Sequence, residues 1–199
     1  SFVNDILSTD KKFGLIGEAN FALKDNVELT LGARHYDIAV DLEGSANGAY
    51  GNKGADTDPG GGGANLSVQY GPDNPNGYPD KAETDGVIGK ATLSWNPSED
   101  IMYYLTWSEG FRPGLLNRPA GVSSGAYTIP TVTDTDEVTN FEFGWKATLM
   151  DGALRFNGSA FMVDITGLQS TIFDAAIVNL FFSDNAADAE ITGVEGDFI

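Results

Sequence analysis

The sequence predicts an all-β chain, a segment of an antiparallel transmembrane β-barrel of about seven strands, with short periplasmic turns on one rim and long extracellular loops on the other. Three observations carry that expectation. Apolar and polar residues alternate with period two through most of the chain, the pattern of a strand with two unlike faces. Tight joints at Lys24-Asp25-Asn26, Asn96 to Asp100 and Met150-Asp151-Gly152 alternate with long polar connections at 44–83, 113–137 and 165–184. The longest apolar stretch, 173–182, is broken by Asp174 and Asn179 and falls short of the roughly 20 residues a spanning helix requires.

The first strand is expected over 12–24, where Phe13, Leu15, Ala19, Phe21 and Leu23 share one parity and Glu18, Asn20 and Lys24 the other. The second begins with Val27, Leu29, Leu31 and Ala33 on the apolar face, then changes phase to Tyr36, Ile38, Val40 and Leu42. A bulge at 34–36 is the expected cause. Residues 44–83 are dense in Gly, Asn, Asp and Pro and read as a surface loop, in which only 66–70 has the composition of a short strand.

The third strand, 84–96, sets Val87, Ala91, Leu93 and Trp95 against Lys90, Thr92 and Ser94. The fourth, 101–112, sets Ile101, Tyr103, Leu105 and Trp107 against Tyr104, Thr106 and Ser108. Trp95 and Tyr103 flank one tight turn, where an amphipathic ring suits the headgroup level of a bilayer. The fifth strand, 138–150, alternates Phe141, Phe143, Trp145, Ala147 and Leu149 with Asn140, Glu142, Lys146 and Thr148. The sixth opens after Asp151-Gly152 with Leu154, Phe156, Ala160 and Met162 on one face. It runs on to about Phe173, turns at 174–176 and returns through 177–184. Phe161 and Val163 break its pattern, and a seventh strand from Asn185 alternates weakly.

Composition narrows the class. The net charge of -18 repels nucleic acid, and the absence of cysteine excludes disulfides and thiolate metal sites. The polar faces are mostly small and uncharged, as a lumen would have, whereas a soluble sandwich would bury its apolar face under a second sheet. Ser1-Phe2-Val3-Asn4 shows no initiator Met or export signal, and Gly196 to Ile199 still reads as strand, so residues 1–199 are expected to be an internal piece of a longer barrel domain.

Three motifs stand in order. Tyr104-Leu105-Thr106-Trp107-Ser108-Glu109-Gly110-Phe111-Arg112-Pro113-Gly114, with Asn117 after it, resembles the Y-x-x-x-S-x-G-F-(R/K)-x-G-x-x-N segment of TonB-dependent outer-membrane receptors. Asn140 to Lys146 resembles that family's N-x-E-x-G-x-K strand, and Asn185 to Glu195 its N-A-G-x-A-x-x-x-G-x-E strand, with Ala187 in place of the glycine. Leu31 to Asp37 resembles an earlier hairpin.

The resemblance implies a 22-stranded barrel in the bacterial outer membrane, surrounded by lipid and lipopolysaccharide. It further implies a plug domain, here absent, that engages TonB to import a scarce small-molecule ligand such as a ferric siderophore. A passive porin, a surface adhesin and a soluble carbohydrate-binding β-domain are the competing readings.

Little suggests catalysis, and no enzyme is expected. His35 is the single histidine and sits at an ordinary strand position. Glu109, Arg112, Glu142 and Lys146 are the candidate lumen-facing charges. Tyr50, Tyr70, Tyr78 and Tyr127 are the loop aromatics expected to grip a ligand. Asp56-Thr57-Asp58-Pro59-Gly60 to Gly63 has oxygen donors but not the spacing of a calcium loop, so neither metal nor cofactor is expected, beyond an iron chelate carried as cargo.

Overall fold

A computed structural model describes residues 2–48, 68–70, 81–117, 130, 132–173 and 181–199. The described residues form eight strands: β1 (Phe2–Lys24), β2 (Val27–Gly48), β3 (Val68–Tyr70), β4 (Lys81–Ser98), β5 (Ile101–Arg112), β6 (Asp136–Leu149), β7 (Leu154–Phe173) and β8 (Phe181–Phe198). No helix occurs among the described residues. The strands form one antiparallel sheet in the order β1-β2-β4-β5-β6-β7-β8, with β3 attached to β2. Each strand of the main path pairs with the next, a meander whose two edges are β1 and β8.

Register explains why these residues make a sheet with two chemistries. Phe21, Leu29, Leu93, Leu105, Phe143, Ala160 and Val194 are successive cross-strand partners, one from each of seven strands, and all are apolar. The neighbouring row on the other face reads Asn20, Thr30, Thr92, Thr106, Glu142, Phe161 and Gly193. A one-residue slip anywhere would exchange these rows, so the alternation fixes the register.

Among the described residues no second layer covers the apolar face. Leu105 is 54% exposed, Phe143 46% and Phe141 45%, while the buried apolar residues among those described are only Tyr36, Ile38, Ala82 and Phe182. A water-soluble sandwich would hide such rings beneath an opposing sheet. Near the tight turns of this face, Trp95, Tyr103, Phe143, Trp145 and Phe156 form a continuous chain of ring contacts with centroid separations of 5.7 to 6.3 Å. The Trp95 and Tyr103 pair expected from the sequence is thus one link in a belt across β4 to β7.

Several expectations are corrected. β1 begins at Phe2 and not near 12, and β2 continues to Gly48, with Phe2 opposite Gly48. The long connection is correspondingly shorter at both ends, because β4 starts at Lys81. Inside it, β3 lies within the expected 66–70 stretch and pairs through Gly44 and Tyr70. No bulge exists at 34–36, since β2 stays in unbroken register with β4 from Val27 to Asp41 and with β1 from Glu28 to Gly48. The pleat is continuous and the apolar residues change face. Tyr36 and Ile38 are buried, and the Tyr36 ring stacks on Phe111 at 3.7 Å. Its hydroxyl end lies over Gly86, where a Cβ would come within 2.6 Å.

β8 likewise begins at Phe181, ahead of Asn185, and Phe173 pairs with Phe181 as in the expected extended hairpin. The turn at 174–176 lies outside the described residues. Phe161, anomalous in the sequence, packs its ring against Gly193 of β8, so a bulky residue on the polar side meets a partner with no side chain. The pairing of β7 with β8 shifts register around Gly167, whose φ of 64° places it in the left-handed region.

Candidate functional site

The loop-side end of the sheet carries a polar cluster built on Arg112, the last residue of β5, and Asp136, the first of β6. They are cross-strand partners. Asp136 Oδ1 accepts the Arg112 backbone N–H at 2.9 Å and Oδ2 accepts Arg112 Nε at 2.6 Å, with Nη2 completing the ion pair. Asp136 is 1% exposed, whereas Arg112 is more than half exposed. Burial pushes the Asp136 carboxyl up, but hydrogen bonds from Arg112 and from the Gln169 and Arg112 amides, with the guanidinium charge, outweigh it and hold the group below the ordinary carboxylate value. β5 and β6 have 12 and 14 residues against the roughly 9–11 of a crossing strand, which leaves this pair beyond the hydrocarbon.

Gln169 of β7 extends the cluster. Its Nε2 donates to the carbonyls of Pro113 and Asp134, both at 2.9 Å, and its backbone carbonyl accepts Arg112 Nη2 at 3.1 Å. Beyond it, Leu115 and Thr133 are joined by a backbone hydrogen bond and by Thr133 Oγ1, which accepts the Leu115 amide at 2.8 Å. Gly114 is required there: a Cβ would stand 2.2 Å from the Thr133 carbonyl oxygen.

Asn117 and Asn185 close the cluster against β8. Arg112, Gly114, Asn117 and Asn185 are all residues of the quoted motifs, so the motifs mark a structural clamp at the base of the loops. Asp136 and Gln169 belong to none of the motifs. The available signal was the opposite charge that opens β6 in register with Arg112.

Further toward the turns, the polar face carries side-chain rungs. Thr30 bonds Asn20 at 2.8 Å, Thr92 bonds Thr106 at 2.9 Å, and Tyr104 donates to Glu142 at 2.5 Å. A recess of about 320 Å³ lies among Tyr104, Glu142, Lys146, Asn157, Ser159 and Glu195. Acceptors outnumber cationic groups there.

The four expected lumen charges do not form one ladder. Arg112, Glu142 and Lys146 share the face of Tyr104 and Thr106, but none of them pairs with another among the described residues. Glu109 has the parity of Leu105 and Trp107, and accepts the Gly89 amide at 2.8 Å. His35 stands edge-on to Phe13 on the apolar face. Tyr50, Tyr78, Tyr127 and the 56–63 segment lie outside the described residues. So does the Tyr70 side chain, although its backbone is in β3. No group of three His, Cys, Asp or Glu residues able to hold a metal occurs among the described residues.

The family model described as TonB dependent receptor-like β-barrel matches residues 4–198. The chain belongs to this family of bacterial outer-membrane receptors, in agreement with an antiparallel sheet that exposes one apolar face. Among solved structures, it is similar to the ferric yersiniabactin uptake receptor FyuA from Yersinia pestis, with a TM-score of 0.66 and 15% identity over 97% of this chain and 24% of that one. The siderophore receptor PiuA from Acinetobacter baumannii gives 0.60 and 16% over 98% and 23%, and the copper transporter OprC gives 0.63 and 12% over 96% and 26%. The chain therefore spans about a quarter of the length of these proteins. No curated protein matches the sequence.

Proposed function

We propose that residues 1–199 are part of the barrel wall of an energised importer, which admits a scarce small molecule such as a ferric chelate. The observation that carries this reading is the family match over 4–198 on a sheet with one apolar and one polar face. In this reading the apolar rows meet lipid and lipopolysaccharide. The polar face, including Arg112, Glu142 and Lys146, looks into a lumen filled by a plug domain supplied elsewhere in the full-length protein, and TonB acts on that plug. The loop tyrosines Tyr50, Tyr70, Tyr78 and Tyr127 contact the ligand. Of the similar proteins, one is a ferric yersiniabactin uptake receptor, one a siderophore receptor and one a copper transporter, which makes ferric chelates and copper the first ligands to try.

The test is uptake of radiolabelled ferric siderophores and copper by cells with and without the full-length gene. Energised import requires that loss of the gene abolish uptake of one compound and that a protonophore do the same in the parent strain. Uptake that persists after the proton gradient collapses would identify a passive porin instead.

A further inference from the structure

We propose that Asn117 and Gln169 are positioning residues that lock the base of the β5–β6 connection to the base of the β7–β8 connection, so that the two move as one unit. In the sheet, β6 and β7 stand between β5 and β8, and backbone pairing cannot join them. Side-chain amides make the link. Asn117 Nδ2 donates to the Ser183 carbonyl at 2.6 Å, and Asn117 Oδ1 accepts the Ser183 amide at 2.8 Å. One side chain thus reproduces both hydrogen bonds of a strand pair with β8. The same Nδ2 donates to the Pro130 carbonyl at 2.8 Å, closing the base of its own connection.

Gln169 repeats the device from β7, reaching Pro113 before the connection and Asp134 after it. Asn185 supports it by accepting the Asp134 amide at 2.8 Å while donating to Asp134 and Gly167 carbonyls. Asn117 and Gln169 are each 8% exposed, so water has little access to these bonds. The Asn117 amide carries no charge to be screened or titrated, whereas Gln169 is held in turn by Arg112 and Asp136. A displacement at 113–117 is passed to 183–185 through bonds rather than through solvent, and this coupling holds whatever the protein transports.

The experiment uses the full-length protein in lipid nanodiscs with spin labels at Leu115 and Ala186, introduced as cysteines into a chain that has none. Distances come from pulsed dipolar spectroscopy. A second label pair, at Lys146 and Arg155, reports whether the sheet itself is intact. The expected result is one narrow distance between 115 and 186. N117A removes three shielded hydrogen bonds, and should broaden that distribution by about twofold with the 146–155 pair unchanged.

N117D retains an acceptor for the Ser183 amide but loses both donated bonds, and should broaden it nearly as much. T133A, which loosens the Leu115 end, should shift the 115–186 distance in the parent protein and have no further effect in N117A. An unchanged distribution in both N117A and Q169A, or additive effects of T133A and N117A, would overturn the coupling. Neither result would bear on import, which is read by uptake.

Discussion

At the scale of single residues, the decisive group is Asp136. Its carboxylate accepts bonds from Arg112 and Gln169 while almost wholly removed from water, so it contributes stability only when ionised. Its folded value is depressed, which means the contribution is complete above the unfolded value of about 3.9 and is lost as the pH falls through the lower folded value. D136N should lower stability at pH 7 by about 1–3 kcal/mol, because Arg112 loses a charged acceptor but keeps its exposure to water. The parent protein should lose stability steeply below about pH 4 and D136N less so, as measured by urea unfolding in lipid vesicles. Parallel acid limbs would remove Asp136 from its role. Met150 is the opposite case. It is 76% exposed, with φ at 54°, and no packing offsets its left-handed backbone. M150N should therefore raise the unfolding free energy by up to about 1 kcal/mol, and the midpoint with it, since Asn tolerates this region better. A lower midpoint would show that the turn draws on the Met side chain.

At the scale of strands, the two faces are separable by mutation. Leu105 lies in the middle of the apolar row with Leu93 and Phe143 as partners, whereas Asn157 lies on the polar face beside Asp197. L105R should cost about 2–4 kcal/mol of folding stability in a bilayer, and N157R should be tolerated, because a lumen-side guanidinium finds water and a carboxylate. Equal costs would abolish the assignment of lipid and lumen. This division was legible in the sequence because hydrocarbon imposes strict alternation: β5 was expected over the residues it occupies, and β6 and β7 nearly so. The upper parts of β1 and β2 were not legible. Residues 2–11 contain Asn4, Asp5, Ser8, Thr9 and Asp10, and a strand standing outside the bilayer has no need of a greasy side. The phase change at Tyr36 was visible, but its cause was not. A bulge and a continuous strand that moves its apolar residues to the other face write the same sequence, and only the unbroken pairing with β1 and β4 distinguishes them. The clamp escaped for a related reason. Asp136 and Gln169 read as ordinary polar residues until register brings them together with Arg112.

At the scale of the whole molecule, the open edges set the energetics. β1 and β8 have 23 and 18 residues and each is paired on one side only. In an antiparallel strand half of the residues direct their N–H and C=O groups to each side, which leaves about five residues per edge with unpaired backbone within the hydrocarbon. Each such group costs several kcal/mol in hydrocarbon, where neither water nor lipid tails can bond it. The apolar rows cannot offset a penalty of that size, so a sheet of this kind is stable in a bilayer only when further strands join its edges. The chain spans about a quarter of the length of FyuA and PiuA and shares their fold there, with TM-scores of 0.66 and 0.60. The expected behaviour follows. Residues 1–199 expressed alone and mixed with vesicles should aggregate or self-associate along β1 and β8, giving no heat-modifiable monomer band on a gel. The full-length protein should give such a band and resist trypsin. A protease-resistant inserted monomer formed by the 199 residues alone would mean that β1 and β8 pair with each other, and would require a small closed barrel in place of a segment of a large one.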